Sequence, residues 1–111
     1  MNTTTATIRT MIVDDEVLAR QNVEALLQSD PDIVIVAQSN NGAHALEAIK
    51  QHQPDLLFLD VQMPGMTGFE VLAKLPATMI PQVVFVTAYD HFALQAFEVQ
   101  AVDYLLKPFN R

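Results

Sequence analysis

The sequence predicts an α/β fold: a doubly wound parallel sheet of about five strands with helices on both faces. Three observations carry this. Short apolar runs recur along the chain, stretches with helical spacing lie between them, and prolines fall at the joints. The 111 residues suit one domain spanning 1–111. Charged residues make up only 17% of the chain, against roughly 25% in an ordinary soluble protein, which argues against disorder.

The elements follow in order. Residues 1–7 are polar and β-branched and are expected to fray. The apolar runs Ile8–Val13, Ile33–Ala37, Asp55–Leu59, Val83–Val86 and Val102–Leu106 read as buried strands. Glu16–Gln28 is helical in spacing, with Val17, Ala19, Val23, Leu26 and Leu27 toward one side. Ala43–Gln51 repeats the pattern with Leu46 and Ile49. Phe69–Leu75 and His91–Val99 are shorter helical candidates. Ser39-Asn40-Asn41-Gly42 is a turn, Thr67 and Glu70 form a capping box, and Asp90 suits an N-cap. Pro31, Pro54, Pro76 and Pro81 all fall between elements, where a missing N–H does no harm.

Composition excludes several functions. With 6 basic and 13 acidic side chains the net charge is −7, which opposes direct contact with a phosphate backbone. There is no cysteine, so thiol nucleophiles, disulfides and thiolate metal sites are out. None of the three glycines precedes a lysine, and no Gly-x-Gly-x-x-Gly occurs, so neither standard phosphate-binding loop is present. No segment is long enough to span a membrane and the amino terminus lacks a signal-peptide core, so a cytoplasmic location is expected.

In a doubly wound sheet, ligands bind at the carboxyl ends of the strands. Asp14, Asp15, Asp60, Thr87 and Lys107 are the polar groups expected there. Three clustered carboxylates require a cation or must take up protons. An all-oxygen set without histidine pairs or thiolates selects Mg²⁺ or Mn²⁺. Thr87 adds a hydroxyl and Lys107 a cation, which is equipment for phosphoryl transfer, with Asp60 as candidate nucleophile. Taken singly, each residue has a plainer reading: Asp14 and Asp15 as helix caps, Asp60 as a turn residue, Thr87 as a strand threonine, Lys107 as a solvated lysine. Holding all of these at the ends of separate strands is far less economical.

The segments MIVDDE, LFLDVQMPGMTG, FVTA and YLLKPF, in that order and spacing, resemble the signatures of the two-component response-regulator receiver domain. The stretch TAYDHFALQAFEVQAVDYLLKPF further resembles receivers that precede a LytTR-type (LytR/AlgR-like) DNA-binding domain. The resemblance implies a flavodoxin/CheY-like sheet with strand order 2-1-3-4-5. It implies that Asp60 accepts a phosphoryl group from a sensor histidine kinase. Asp15 and Asp60 would be metal ligands, Asp14 a ligand through water, and Gln62 a ligand through its backbone carbonyl. Thr87 and Tyr104 would form the switch, Lys107 would pair with the acceptor, Lys107-Pro108 would be a cis bond, and Ala88 would leave the phosphoryl group accessible.

The same resemblance implies a non-enzyme that assists only its own modification. Its partners would be the kinase, a second copy in a homodimer, and a carboxyl-terminal DNA-binding effector. Receivers carry a further helix after Lys-Pro-Phe, whereas only Asn110 and Arg111 follow here. The expectation is a chain stopping before its last helix, as a piece of a longer protein or with that face covered by another chain. Two rivals remain: a Mg²⁺-dependent aspartyl-phosphate phosphohydrolase and a non-phosphorylated interaction domain of the same fold. The first is disfavoured by Gln62, which stands where an Asp-x-Asp pair would need its second acid.

Overall fold

The computed structural model describes residues 7–87 and the backbone of 103–106. Five strands, β1 (Ile8–Val13), β2 (Ile33–Ser39), β3 (Leu56–Asp60), β4 (Gln82–Thr87) and β5 (Asp103–Leu106), form one sheet in the order β2-β1-β3-β4-β5. Every pairing is parallel. Helices α1 (Val17–Leu27), α2 (Gly42–His52) and α3 (Gly68–Ala73) lie in the connections, with a single 3-10 turn at Ala77–Met79. The expected fold and strand order hold. The Asp90 cap, the helix over His91–Val99, Ala88, Lys107-Pro108, the Tyr104 side chain and residues 1–6 lie outside the described residues.

The strands alternate their side chains between two faces. Met11 and Val13, Leu57 and Leu59, and Val83 and Phe85 join Ala45, Ala48, Ile49, Val71 and Leu72 in a core beneath α2 and α3. Ile12, Phe58, Val84 and Val86 join Val23 and Leu27 beneath α1. β1 and β2 pair with a register shift: Thr10 stands opposite Ile35 and Met11 opposite Ala37, so Val36 is the extra residue.

Local chemistry sets the helix ends. Thr67 and Glu70 form the expected capping box, with Glu70 N donating to Thr67 Oγ1 at 3.1 Å and Thr67 N donating to Glu70 Oε1 at 2.8 Å. The Asn41 side chain caps α2 by accepting from His44 N at 2.8 Å. The α2 carboxyl end is closed by Gln53 at φ +46°, and Arg9 Nη1 donates to the carbonyls of His52 (2.6 Å) and Gln53 (3.0 Å).

Two expectations about the helices need correction. Val17 is 54% exposed, because the buried stripe of α1 runs through Ala19, Val23 and Leu27 at four-residue spacing and Val17 precedes it. The core side of α2 rests on Gly42, Ala45 and Ala48 as much as on Ile49, with Leu46 only partly buried. Small residues let α2 approach the sheet closely.

Candidate functional site

The site begins with register. Val13 pairs with Leu59, so Asp14 and Asp60 stand side by side as the next residues of adjacent strands. Asp60 is still in β3, opposite Val86, and Thr87 follows one step later as the last residue of β4. Thr87 is fully buried. Its backbone partner in β5 is Leu106; Lys107, next in sequence, lies outside the described residues. Tyr104 pairs through its backbone with Phe85.

One carboxylate oxygen from each of Asp14, Asp15 and Asp60 lies within 4.8 Å of the others. Asp14 and Asp60 are only 2% and 3% exposed, whereas Asp15 is open to solvent. Both buried acids turn back on the chain: Asp14 Oδ1 accepts from Glu16 N at 2.9 Å and Asp60 Oδ1 accepts from Gln62 N at 3.2 Å. These are Asx turns, and each fixes its side chain against its own loop. Glu16, not an aspartate, stands at the N-cap of α1, and its side chain makes no capping hydrogen bond. Neither Asp14 nor Asp15 stands at that N-cap. Gln62 is exposed, with its amide engaged by Asp60.

Two buried carboxylates at such a distance repel by about 3 kcal/mol at an effective dielectric near 20. The donor set is all oxygen, two buried acids and one open to water, which suits a small hard dication. Direct ligands of one Mg²⁺ lie at most about 4.2 Å apart, twice its bond length. A spread of up to 4.8 Å accommodates a set in which one carboxylate acts through water.

Two residues beside the site were not assigned to it from the sequence, Gly68 being read there only as easing the backbone at the start of its helix. Gly68 seats α3 directly on Asp60: its N donates to Val61 O at 2.8 Å, and a Cβ there would lie 2.5 Å from the Asp60 carbonyl oxygen. A glycine just inside a helix start, where propensity disfavours it, was the available signal. Arg20 Nη1 donates to the Asp14 carbonyl at 2.7 Å. Residue types alone offer no signal for that bond, because its acceptor is backbone.

A doubly wound parallel domain with an acidic cluster across the carboxyl ends of its first and third strands defines a class of α/β domain with an acidic pocket. The chain belongs to the response regulator receiver domain family, whose description it matches over residues 10–111. It is 48% identical over 101 residues to the transcriptional regulatory protein BtsR of Salmonella typhi, covering 91% of this chain and 42% of that protein. The Escherichia coli K12 protein of the same name is 46% identical over 103 residues, covering 93% and 43%. The chain thus spans about two-fifths of the length of these relatives. Among solved structures, the response regulatory domain of protein mrkE from Klebsiella pneumoniae is similar with a TM-score of 0.82 at 31% identity, covering 93% of this chain and 85% of that one. The receiver domain of AraT, a response regulator from Geobacillus stearothermophilus, gives a TM-score of 0.83 at 30% identity, covering 94% and 84%. No described helix is long and apolar enough to cross a membrane.

Proposed function

We propose that the domain is a phosphorylation-controlled switch in which Asp60 accepts a phosphoryl group from the phosphohistidine of a sensor kinase. The observation that carries this reading is the convergence of Asp14, Asp15 and Asp60 within 4.8 Å in a member of the receiver family. An Asp60 carboxylate oxygen attacks phosphorus, the P–N bond to the imidazole breaks, and an acyl phosphate forms. The imidazole leaves with the electron pair and takes up a proton. Water later attacks the phosphorus, releasing inorganic phosphate and restoring the carboxylate.

Asp15, Asp60 and the Gln62 carbonyl would hold Mg²⁺ directly, and Asp14 through water. Bound there, Mg²⁺ supplies charge neutralisation for carboxylates and phosphoryl oxygens. Thr87 donates its hydroxyl to the phosphoryl group and Lys107 pairs with it, while Tyr104 follows the threonine. The chain turns over no free metabolite.

The output is a population shift at the β4–β5 side of the domain, read as changed homodimerisation. The names of the relatives support transcriptional control, and the resemblance around residues 87–109 supports a LytTR-type effector in the full-length protein. The acidic charge supports DNA contact by that effector and not by this domain. The cytoplasm is the compartment in which these parts meet.

Incubation with acetyl phosphate and Mg²⁺, followed by intact mass measurement, tests the reading. One added phosphoryl group on the wild type and none on Asp60→Asn is expected. No adduct on either protein overturns the switch, and rapid turnover of many small phosphate esters makes the domain an enzyme instead.

A further inference from the structure

We infer that Arg20 is a positioning residue for the cation site: it sets the direction of Asp15 by holding the Asp14 carbonyl. The inference rests on the functional reading above and adds a residue to it.

The backbone of Asp14 is gripped on both sides. Its N–H donates to Ser39 O at 3.0 Å, continuing the β1–β2 ladder one step past the strand. Its side chain accepts from Glu16 N at 2.9 Å, and its carbonyl accepts from Arg20 Nη1 at 2.7 Å. That carbonyl belongs to the peptide plane joining Asp14 to Asp15. It lies outside the ladder of α1, whose first turn closes from Arg20 N to Glu16 O at 3.2 Å. Fixing the plane fixes where the Asp15 Cα and side chain begin, and Asp15 is the exposed member of the carboxylate cluster.

Arg20 is half-buried one turn into α1, so its own origin is rigid. It borders a cleft of about 360 Å³ shared with Gln38, Ser39, Asn40 and His44. Among the described residues lining that cleft there is no carboxylate. Ser39 is itself held, 3% exposed, with its Oγ 2.7 Å from His44 Nδ1. The Asp14–Asp15 hinge is therefore braced from α1 on one side and from the β2–α2 junction on the other.

Charge alone predicts the opposite effect, which makes the inference sharp. A guanidinium near a dication repels it, so removing Arg20 for electrostatic reasons tightens Mg²⁺ binding. Removing a brace weakens it, and loss of an outer partner of a metal ligand costs about tenfold in affinity. The experiment is calorimetric titration of Mg²⁺ into the wild type, Arg20→Ala and Arg20→Lys, with thermal unfolding of each. Phosphorylation by acetyl phosphate is followed at limiting and at saturating Mg²⁺.

Arg20→Ala is expected to bind Mg²⁺ about tenfold more weakly. Its phosphorylation should slow at limiting Mg²⁺ and recover at saturation. Arg20→Lys keeps the charge but offers a flexible point donor in place of a rigid fork. It is expected to weaken binding as well, and it decides the matter if the alanine variant does not fold. Affinity unchanged or tightened in a folded variant overturns the inference while leaving the switch intact. A wild type that neither binds Mg²⁺ nor takes a phosphoryl group overturns the functional reading first, and this inference with it.

Discussion

The two faces of the sheet are built differently. Among the described residues, the face beneath α2 and α3 gathers 14 buried side chains, from Met11 to Phe85, whereas the face beneath α1 gathers six. The strands feed both faces by simple alternation, and among the described residues the two faces differ in the elements that cover them. The row Ile12–Asp14 and the row Phe58–Asp60 belong to the thinner face. The buried carboxylates thus extend the side on which fewer described side chains are buried. The lesson is one of division: register places the acids, and the opposite face keeps the register.

The largest expected effect sets one face directly against the other. Phe85 is fully buried, with its ring centroid 4.8 Å from that of Phe69. Phe58, 7% exposed, sits on the thinner face of the neighbouring strand. Phe85→Ala is expected to cost about 4–5 kcal/mol and Phe58→Ala about 3 kcal/mol in urea denaturation. Equal or reversed losses would break the comparison.

A smaller effect is expected where the dense face touches the site. The methyl of Gly68→Ala would meet Asp60 O at 2.5 Å and Leu59 Cγ at 3.1 Å. Backbone cannot yield as a flexible side chain does, so a loss of about 2 kcal/mol is expected. Slower phosphorylation of Asp60 by a small donor should accompany it. A variant of unchanged stability and rate would mean that α3 does not seat Asp60.

The smallest effect sharpens the same boundary. Thr67→Ala removes half of the capping box and is expected to cost about 1 kcal/mol, with Thr67→Ser restoring most of it. Phosphorylation should be nearly unchanged, since the cap stabilises α3 without touching the acids. Thermal unfolding and the same mass assay measure both parts.

Much of this was legible in the sequence, because a parallel sheet buried on both faces writes its strands as continuous apolar runs. β1 falls where the run Ile8–Val13 puts it. β3 is offset by one residue, covering Leu56–Asp60 rather than Asp55–Leu59. The reason is that the Asp55 carboxylate accepts from Arg9 N at 2.9 Å outside the strand, while Asp60 keeps its pairing with Val86. The three aspartates were legible as a cluster because all parallel strands deliver their ends to one edge. The exposure of Val17, the small-residue seat of α2 and the 3-10 turn were not. Each depends on how closely two elements approach, and residue type only weakly encodes that distance. Arg20 was invisible for a different reason: its bond ends on a main-chain oxygen that every residue possesses.

The register shift at Val36 has a consequence for the molecule among its own copies. β2 is an outer strand of the described sheet, and its sequence IVIVAQS contains no charge to repel a neighbour. A straight strand of that composition would be a template for another chain. The extra residue between the pairs Thr10–Ile35 and Met11–Ala37 breaks the even spacing of its donors and acceptors and adds local twist. An incoming strand would therefore meet an edge whose even spacing is broken at Val36, a feature that blunts such pairing where charge does not.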